Sequence, residues 1–153
     1  MSWLVPLIKT MRPKQWVKNG LLFIALVFDA QLLHLPALGR VLAAFALFCL
    51  LSSLVYIIND LTDLEADRNH PKKRLRPLPS GQLSIRTARL AAVLLALIVF
   101  SLSFLLSWKF ALIALAYFSL NLAYSRWLKH IPVLDVMVLA AFYVLRACGG
   151  VVV

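Results

Sequence analysis

The chain has 153 residues, of which 63% are hydrophobic and only 14% charged, with a formal net charge of +10. This balance excludes an ordinary soluble domain and calls for an integral membrane protein. The basic residues alternate with apolar runs instead of forming one patch, so membrane topology accounts for them and no nucleic-acid partner is expected.

In chain order, Met1 to Asn19 mixes Trp3, Leu4, Leu7 and Ile8 with Lys9, Arg12, Lys14 and Lys18 and is interrupted by Pro6 and Pro13. It reads as an interfacial segment with Trp16 at headgroup level, and it lacks the pattern of a cleavable signal peptide. Gly20 to about Leu35 is the first expected span, with Asp29, Gln31 and His34 at its far interface. A lone His34, without a second His or Cys at ligand spacing, is read as a headgroup-region side chain. After Pro36 and Gly39, Val41 to Ile58 forms the second span. The loop from Arg68 to Arg89 then carries seven basic residues and is broken by Pro71, Pro77, Pro79 and Gly81.

Ser84 is placed to cap the next helix, and Leu90 to Trp108 crosses as the third span. Lys109 marks a tight hairpin. Phe110 to Tyr124 is the fourth span, whose Asn121 should face another helix. Pro132 opens a fifth, Val133 to Val153, which holds Asp135 and Arg146; Asp135 is expected to pair with Lys129 or Arg146. Cys49 and Cys148 lie in apolar runs and read as buried thiols. The expected fold is an all-α integral membrane protein of about five transmembrane helices in one membrane domain, residues 1–153. Residues 1–19 are interfacial, and residues 20–153 supply the helices and cytoplasmic loops.

Orientation follows from the basic residues. Four precede the first span, seven follow the second and two follow the fourth, against Arg40 and Lys109 on the other side. This bias places the N-terminus, the loop after the second span and the Tyr124–Lys129 loop in the cytoplasm.

The most informative stretch runs from Ser52 to Gly81. If the second helix continues through Asp67, a turn of about 100° per residue puts Asp60, Asp63 and Asp67 within an arc of roughly 60°, with Tyr56 inside it and Glu65 about 140° from Asp60. Three carboxylates on one face repel one another unless a hard, oxygen-liganded cation sits between them. Mg2+ suits this best, because it takes one or two carboxylates and fills its other positions with water and substrate phosphates. The plain alternative is a solvated helix end, which would not require one-face spacing.

Asn59-Asp60-x-x-Asp63-x-x-x-Asp67-Arg68, preceded by Val55-Tyr56 and followed by His70-Pro71, Arg76-Pro77 and Gly81, resembles the first aspartate-rich motif of the UbiA-type membrane prenyltransferases. Met11-Arg12-Pro13-Lys14-Gln15-Trp16-Val17-Lys18-Asn19 and Ala123 to Pro132 resemble the branch that contains decaprenyl-phosphate phosphoribosyltransferase. Family members run to about nine membrane helices, and this length has room for five, so the chain looks like an N-terminal half. The family's second polar motif would then come from a missing C-terminal half or a second chain.

The resemblance implies a polyprenyl lipid substrate from the bilayer and a pyrophosphate-containing donor. In one branch a polyprenyl phosphate attacks phosphoribosyl pyrophosphate; in the other an aromatic ring attacks a prenyl cation released from its diphosphate. A non-enzymatic remnant that binds metal and phosphate is the third possibility. By role, Asp60, Asp63 and Asp67 are the expected catalytic metal ligands, with Asn59 as an accessory. Lys14, Lys18, Lys73, Arg76, Tyr124 and Lys129 are the expected substrate contacts.

Overall fold

The computed structural model describes residues 3–128 and 131–153, and its regular elements are all helical. In order these are α1 (Leu4–Met11), a 3-10 helix (Pro13–Phe23), α2 (Ile24–Phe28), α3 (Leu35–Thr62), α4 (Leu64–Asn69), a 3-10 turn (Lys73–Leu75), α5 (Ile85–Leu106), α6 (Trp108–Arg126) and α7 (Pro132–Val151). Three of them, α3, α5 and α7, are long and apolar enough to cross a membrane. The chain is an all-α membrane protein.

Helix α3 is the mast. Nearly every residue from Leu47 to Ile57 is buried, as expected of a helix that is apolar all round and surrounded on every side. It packs against α1, the long 3-10 helix, α5, α6 and α7. Its 28 residues give a length of about 42 Å, against about 30 Å for a bilayer's hydrocarbon core. One end can therefore stand clear of the lipid, and that end carries the aspartates. By contrast, α5 buries one stripe, Ala88, Ala92, Val99 and Ser103, and leaves its other side exposed. Ser84 caps α5 as expected, its Oγ accepting from the Thr87 N–H at 3.0 Å.

Edge-on rings tie α3, α6 and α7 together: Phe48 meets Phe110 and Tyr117, while Phe142 meets Tyr117 and Tyr124. The α5–α6 hairpin turns at Ser107 in extended backbone. Cys49 is buried as expected, whereas Cys148 is exposed, and no disulfide joins them.

The first expected span takes a different form. Instead of one α-helix over Gly20–Leu35, the chain runs as an eleven-residue 3-10 helix to Phe23 and a short α2, then turns before α3. A 3-10 run this long is unusual, and its three-residue period supplies the reason here, since side chains three apart eclipse. Trp16, Asn19 and Leu22 thus lie in one row. The Trp16 indole donates to Ser53 Oγ at 3.0 Å, Asn19 bonds Ser52, and Leu22 is fully buried. Trp16 is consequently held against α3. On the other side of this row α7 approaches at Gly150, where a Cβ would collide with the Leu22 carbonyl.

Candidate functional site

The aspartate stretch is not one unbroken helix. Asp63 (φ −90°, ψ 10°) ends α3 and precedes α4. Hydrogen bonds nevertheless cross the break, from Asp63 N–H to the Asn59 carbonyl at 2.9 Å and from Asp67 N–H to the Asp63 carbonyl at 2.8 Å. The helical course is therefore almost kept. Asp60 and Asp67 end on the inner side, at 3% and 1% exposure, and Asp63 is half-buried. Glu65 is exposed and pairs with Arg68 at 2.9 Å, a local i,i+3 contact.

Two buried carboxylates this close need cations. Arg12 Nη2 donates to Asp60 Oδ1 at 2.9 Å; Arg76 Nη1 donates to Asp60 Oδ1 at 3.3 Å and to Asp67 Oδ2 at 2.6 Å; and Lys73 Nζ lies 3.6 Å from Asp67 Oδ1. Arg76 is the bridge between the two acids. The Arg12 guanidinium also lies over the Tyr56 ring, 4.6 Å from its centroid. The basic loop is folded back to this position by His70, whose Nδ1 accepts from the N–H groups of Lys72 and Lys73. Leu78 and Leu83 anchor its far limb, and Gly81 makes the turn between them at φ +80°.

Of the expected site residues, Asp60, Asp67, Lys73 and Arg76 are brought together. Asp63 and Asn59 lie beside them, with no side-chain ion pair or hydrogen bond among the described residues. Lys14 and Lys18 are exposed on the 3-10 helix and belong to none of these ion pairs. Tyr124 gives its hydroxyl to Asp135 Oδ1 at 2.6 Å. Asp135 therefore does not partner Arg146, and Lys129 lies outside the described residues. Among the described residues, no three His, Cys, Asp or Glu side chains converge closely enough to cage a metal ion. What converges instead is a near-neutral cluster of acids and bases.

Sequence reasoning missed two arginines. Arg12 sits at a left-handed backbone position (φ 53°) between α1 and the 3-10 helix. Its signal was the Arg-Pro pair at a helix break together with Tyr56, one turn before Asp60 on the acidic arc. Arg146 is buried on α7 and donates to Asn19 Oδ1 at 2.9 Å, the Phe142 carbonyl at 3.0 Å and the Tyr117 hydroxyl at 2.7 Å. Its signal was a charge in the middle of an apolar span.

The sequence pattern described as the UbiA prenyltransferase family matches residues 21–153. The chain is 37% identical over 147 residues to the decaprenyl-phosphate phosphoribosyltransferase of Mycobacterium tuberculosis, covering 94% of this chain and 49% of that protein. Its namesakes in Corynebacterium glutamicum (40% over 148 residues, 94% and 45%) and Mycolicibacterium smegmatis (38% over 152 residues, 94% and 46%) are similar. The chain spans about half the length of these curated relatives.

Proposed function

Because the chain belongs to the UbiA prenyltransferase family, we propose that it is the aspartate-bearing part of a membrane transferase that moves phosphoribosyl from phosphoribosyl pyrophosphate to a polyprenyl phosphate. The observation that carries this reading is the Arg12–Asp60–Arg76–Asp67–Lys73 cluster at the end of α3. The names and 37–40% identity of the relatives support the phosphoribosyl branch over aromatic prenyl transfer.

In this reaction an oxygen of the lipid phosphate attacks the anomeric carbon as the bond from that carbon to pyrophosphate breaks, and pyrophosphate leaves. No protein nucleophile is needed; the protein must align the reactants and stabilise charge on the leaving group. Arg12, Lys73 and Arg76 are the groups that take up that charge. The guanidinium forks of the two arginines match phosphate oxygens, and Lys73 adds a point charge.

UbiA prenyltransferases are generally divalent-metal dependent, and the donor set here fits a hard cation: Asp60 and Asp67 with Asp63 and Asn59 alongside, all oxygen ligands. Mg2+ is the ion we assign to it, and when bound it would neutralise the leaving pyrophosphate. The acids do not form a complete cage, which agrees with an ion that completes its shell with phosphate and water. The surplus of basic residues at this end supports a cytoplasmic site.

A radiolabelled transfer assay in membranes tests the proposal. Phosphoribosyl pyrophosphate is offered with polyprenyl phosphate and, separately, prenyl diphosphate with an aromatic acid. The expected outcome is a labelled lipid from the first pair, dependent on Mg2+. A product from the second pair alone would replace this reading with aromatic prenyl transfer.

A further inference from the structure

Arg146 carries a charge that nothing among the described residues balances. It is 7% exposed, and its three hydrogen-bond partners, Asn19, the Phe142 carbonyl and Tyr117, are all neutral. The rings of Tyr117 and Tyr143 lie 5.0 and 5.7 Å from its guanidinium carbon. The sequence holds six acids. Asp60 and Asp67 are taken by the basic cluster, Glu65 by Arg68 and Asp135 by Tyr124; Asp29 is exposed beyond α2, and Asp63 sits at the α3–α4 break. A guanidinium inside a membrane bundle is costly, and a neutral donor could bond the same three acceptors, so packing alone does not account for the charge. Five N–H groups are available and three are used, which leaves two for a ligand.

The surroundings indicate which anion this is. Along α3, Asp60, Tyr56 and Ser52 are successive turns of one stripe. Arg12 serves the first two levels, and Asn19, the partner of Arg146, bonds Ser52 on the third. Ser52, the level at which Asn19 meets α3, lies about 12 Å along the helix from Asp60, so Arg146 is joined through Asn19 to the basic cluster by a polar and aromatic stripe. On α7 Leu139 and Tyr143, seven and three residues before it and so on its side of the helix, are exposed and largely apolar, a surface suited to a hydrocarbon chain. A water-soluble donor meets the outer cluster first, whereas a lipid entering from the bilayer brings an apolar tail and a single phosphate.

We infer that Arg146, oriented by Asn19 and Tyr117, binds the phosphate of the polyprenyl phosphate acceptor; the inference rests on the transferase reading above. Arg146 is then a substrate-binding residue, and Asn19 and Tyr117 are positioning residues.

The test uses membranes containing the full-length gene product and measures KM separately for polyprenyl phosphate and phosphoribosyl pyrophosphate. Arg146→Met is expected to raise the KM for the lipid at least tenfold and to move that for the donor less than twofold. Arg146→Lys should recover part of the loss, and Tyr117→Phe should raise the lipid KM about threefold. If Arg146→Met does not accumulate, the Lys and Phe variants decide, and an unchanged lipid KM in both overturns the inference. An equal rise in both KM values also overturns it, since that is what loss of a structural partner for a protein carboxylate would produce. A parallel assay compares retention of labelled polyprenyl phosphate and of the uncharged polyprenol. An Arg146-dependent preference for the phosphate in a protein that transfers no phosphoribose would refute the transferase reading and uphold the phosphate site. Transfer that is indifferent to Arg146 would do the reverse.

Discussion

Replacing Arg76 by Met tests how far this one guanidinium holds the two buried carboxylates of the cluster. Arg76 is the group shared by Asp60 and Asp67, at 3.3 and 2.6 Å. Its loss leaves Asp60 with Arg12 at 2.9 Å, but Asp67, at 1% exposure, with Lys73 alone at 3.6 Å. With an effective dielectric constant near 20, an ion pair at the Arg76–Asp67 separation has a Coulomb energy on the order of 6 kcal/mol, most of which is recovered as water enters. Breaking a fully buried pair costs about 3–5 kcal/mol; with Arg76 31% exposed and one cation left on each acid, about 2–3 kcal/mol is expected. By thermal unfolding in detergent this is a Tm lower by about 4–12 °C. Two carboxylates freed from their bridge should also attract Mg2+ more strongly. At Mg2+ ten to thirty times its Kd, binding should restore about 1.4–2 kcal/mol to the variant and less to the parent. If Arg76→Met melts with the parent, or Mg2+ raises both Tm values equally, the carboxylates are not held by Arg76 and the cluster is misassigned.

Asp60→Asn and Asp67→Asn should each weaken Mg2+-dependent binding of phosphoribosyl pyrophosphate at least tenfold by calorimetry, whereas Glu65→Gln, which alters only an exposed local pair, should change it less than twofold; an equal loss for Glu65 would contradict the burial pattern. Arg12→Ala should weaken the same donor far more than Lys18→Ala, because Arg12 touches Asp60 and Tyr56 while Lys18 is exposed outside the cluster; comparable losses would place the donor along the 3-10 helix instead. Gly150→Ala puts a methyl into the Leu22 carbonyl and should destabilise the protein by about 1–3 kcal/mol, read as a lower Tm, whereas Gly39→Ala, with open space around it, should be near neutral. A cysteine introduced at the exposed Ser80 should react with an impermeant thiol reagent only after the inner side of the membrane is opened; labelling in intact cells would reverse the orientation.

The fold was legible wherever one chemical rule governed a whole element. Hydropathy located α3, α5 and α7, and the polar spacing at Ser84 located a cap. It failed at Gly20–Leu35, because the winding there follows contacts from Trp16 and Asn19 to Ser53 and Ser52, residues more than thirty positions away. The site divides in the same way. A 100° wheel put Asp60, Asp63 and Asp67 on one face and Glu65 off it; Asp60 and Asp67 are buried and Glu65 exposed, whereas Asp63, at the α3–α4 break, is only half-buried. The partners of the acids were less accessible: Arg76 is sixteen residues from Asp60, Arg12 forty-eight, and Arg146 lies 127 residues from Asn19. Such pairings depend on how the helices are arranged, and no local period encodes them.

The charge arrangement would also let one stretch stay folded without ligand and accept the highly charged donor proposed above. Arg12, Lys73 and Arg76 face Asp60 and Asp67, so in the empty state the acids are neutralised by the bases within a few ångströms. A donor that brings phosphate charges together with a divalent cation offers each side a substitute partner, phosphate for the bases and metal for the acids. The exchange keeps every buried charge paired, which avoids the penalty of stripping a lone carboxylate or guanidinium. Either ligand alone would leave one side uncompensated. Binding of pyrophosphate and of Mg2+ should therefore be mutually dependent, each tightening the other by the same factor.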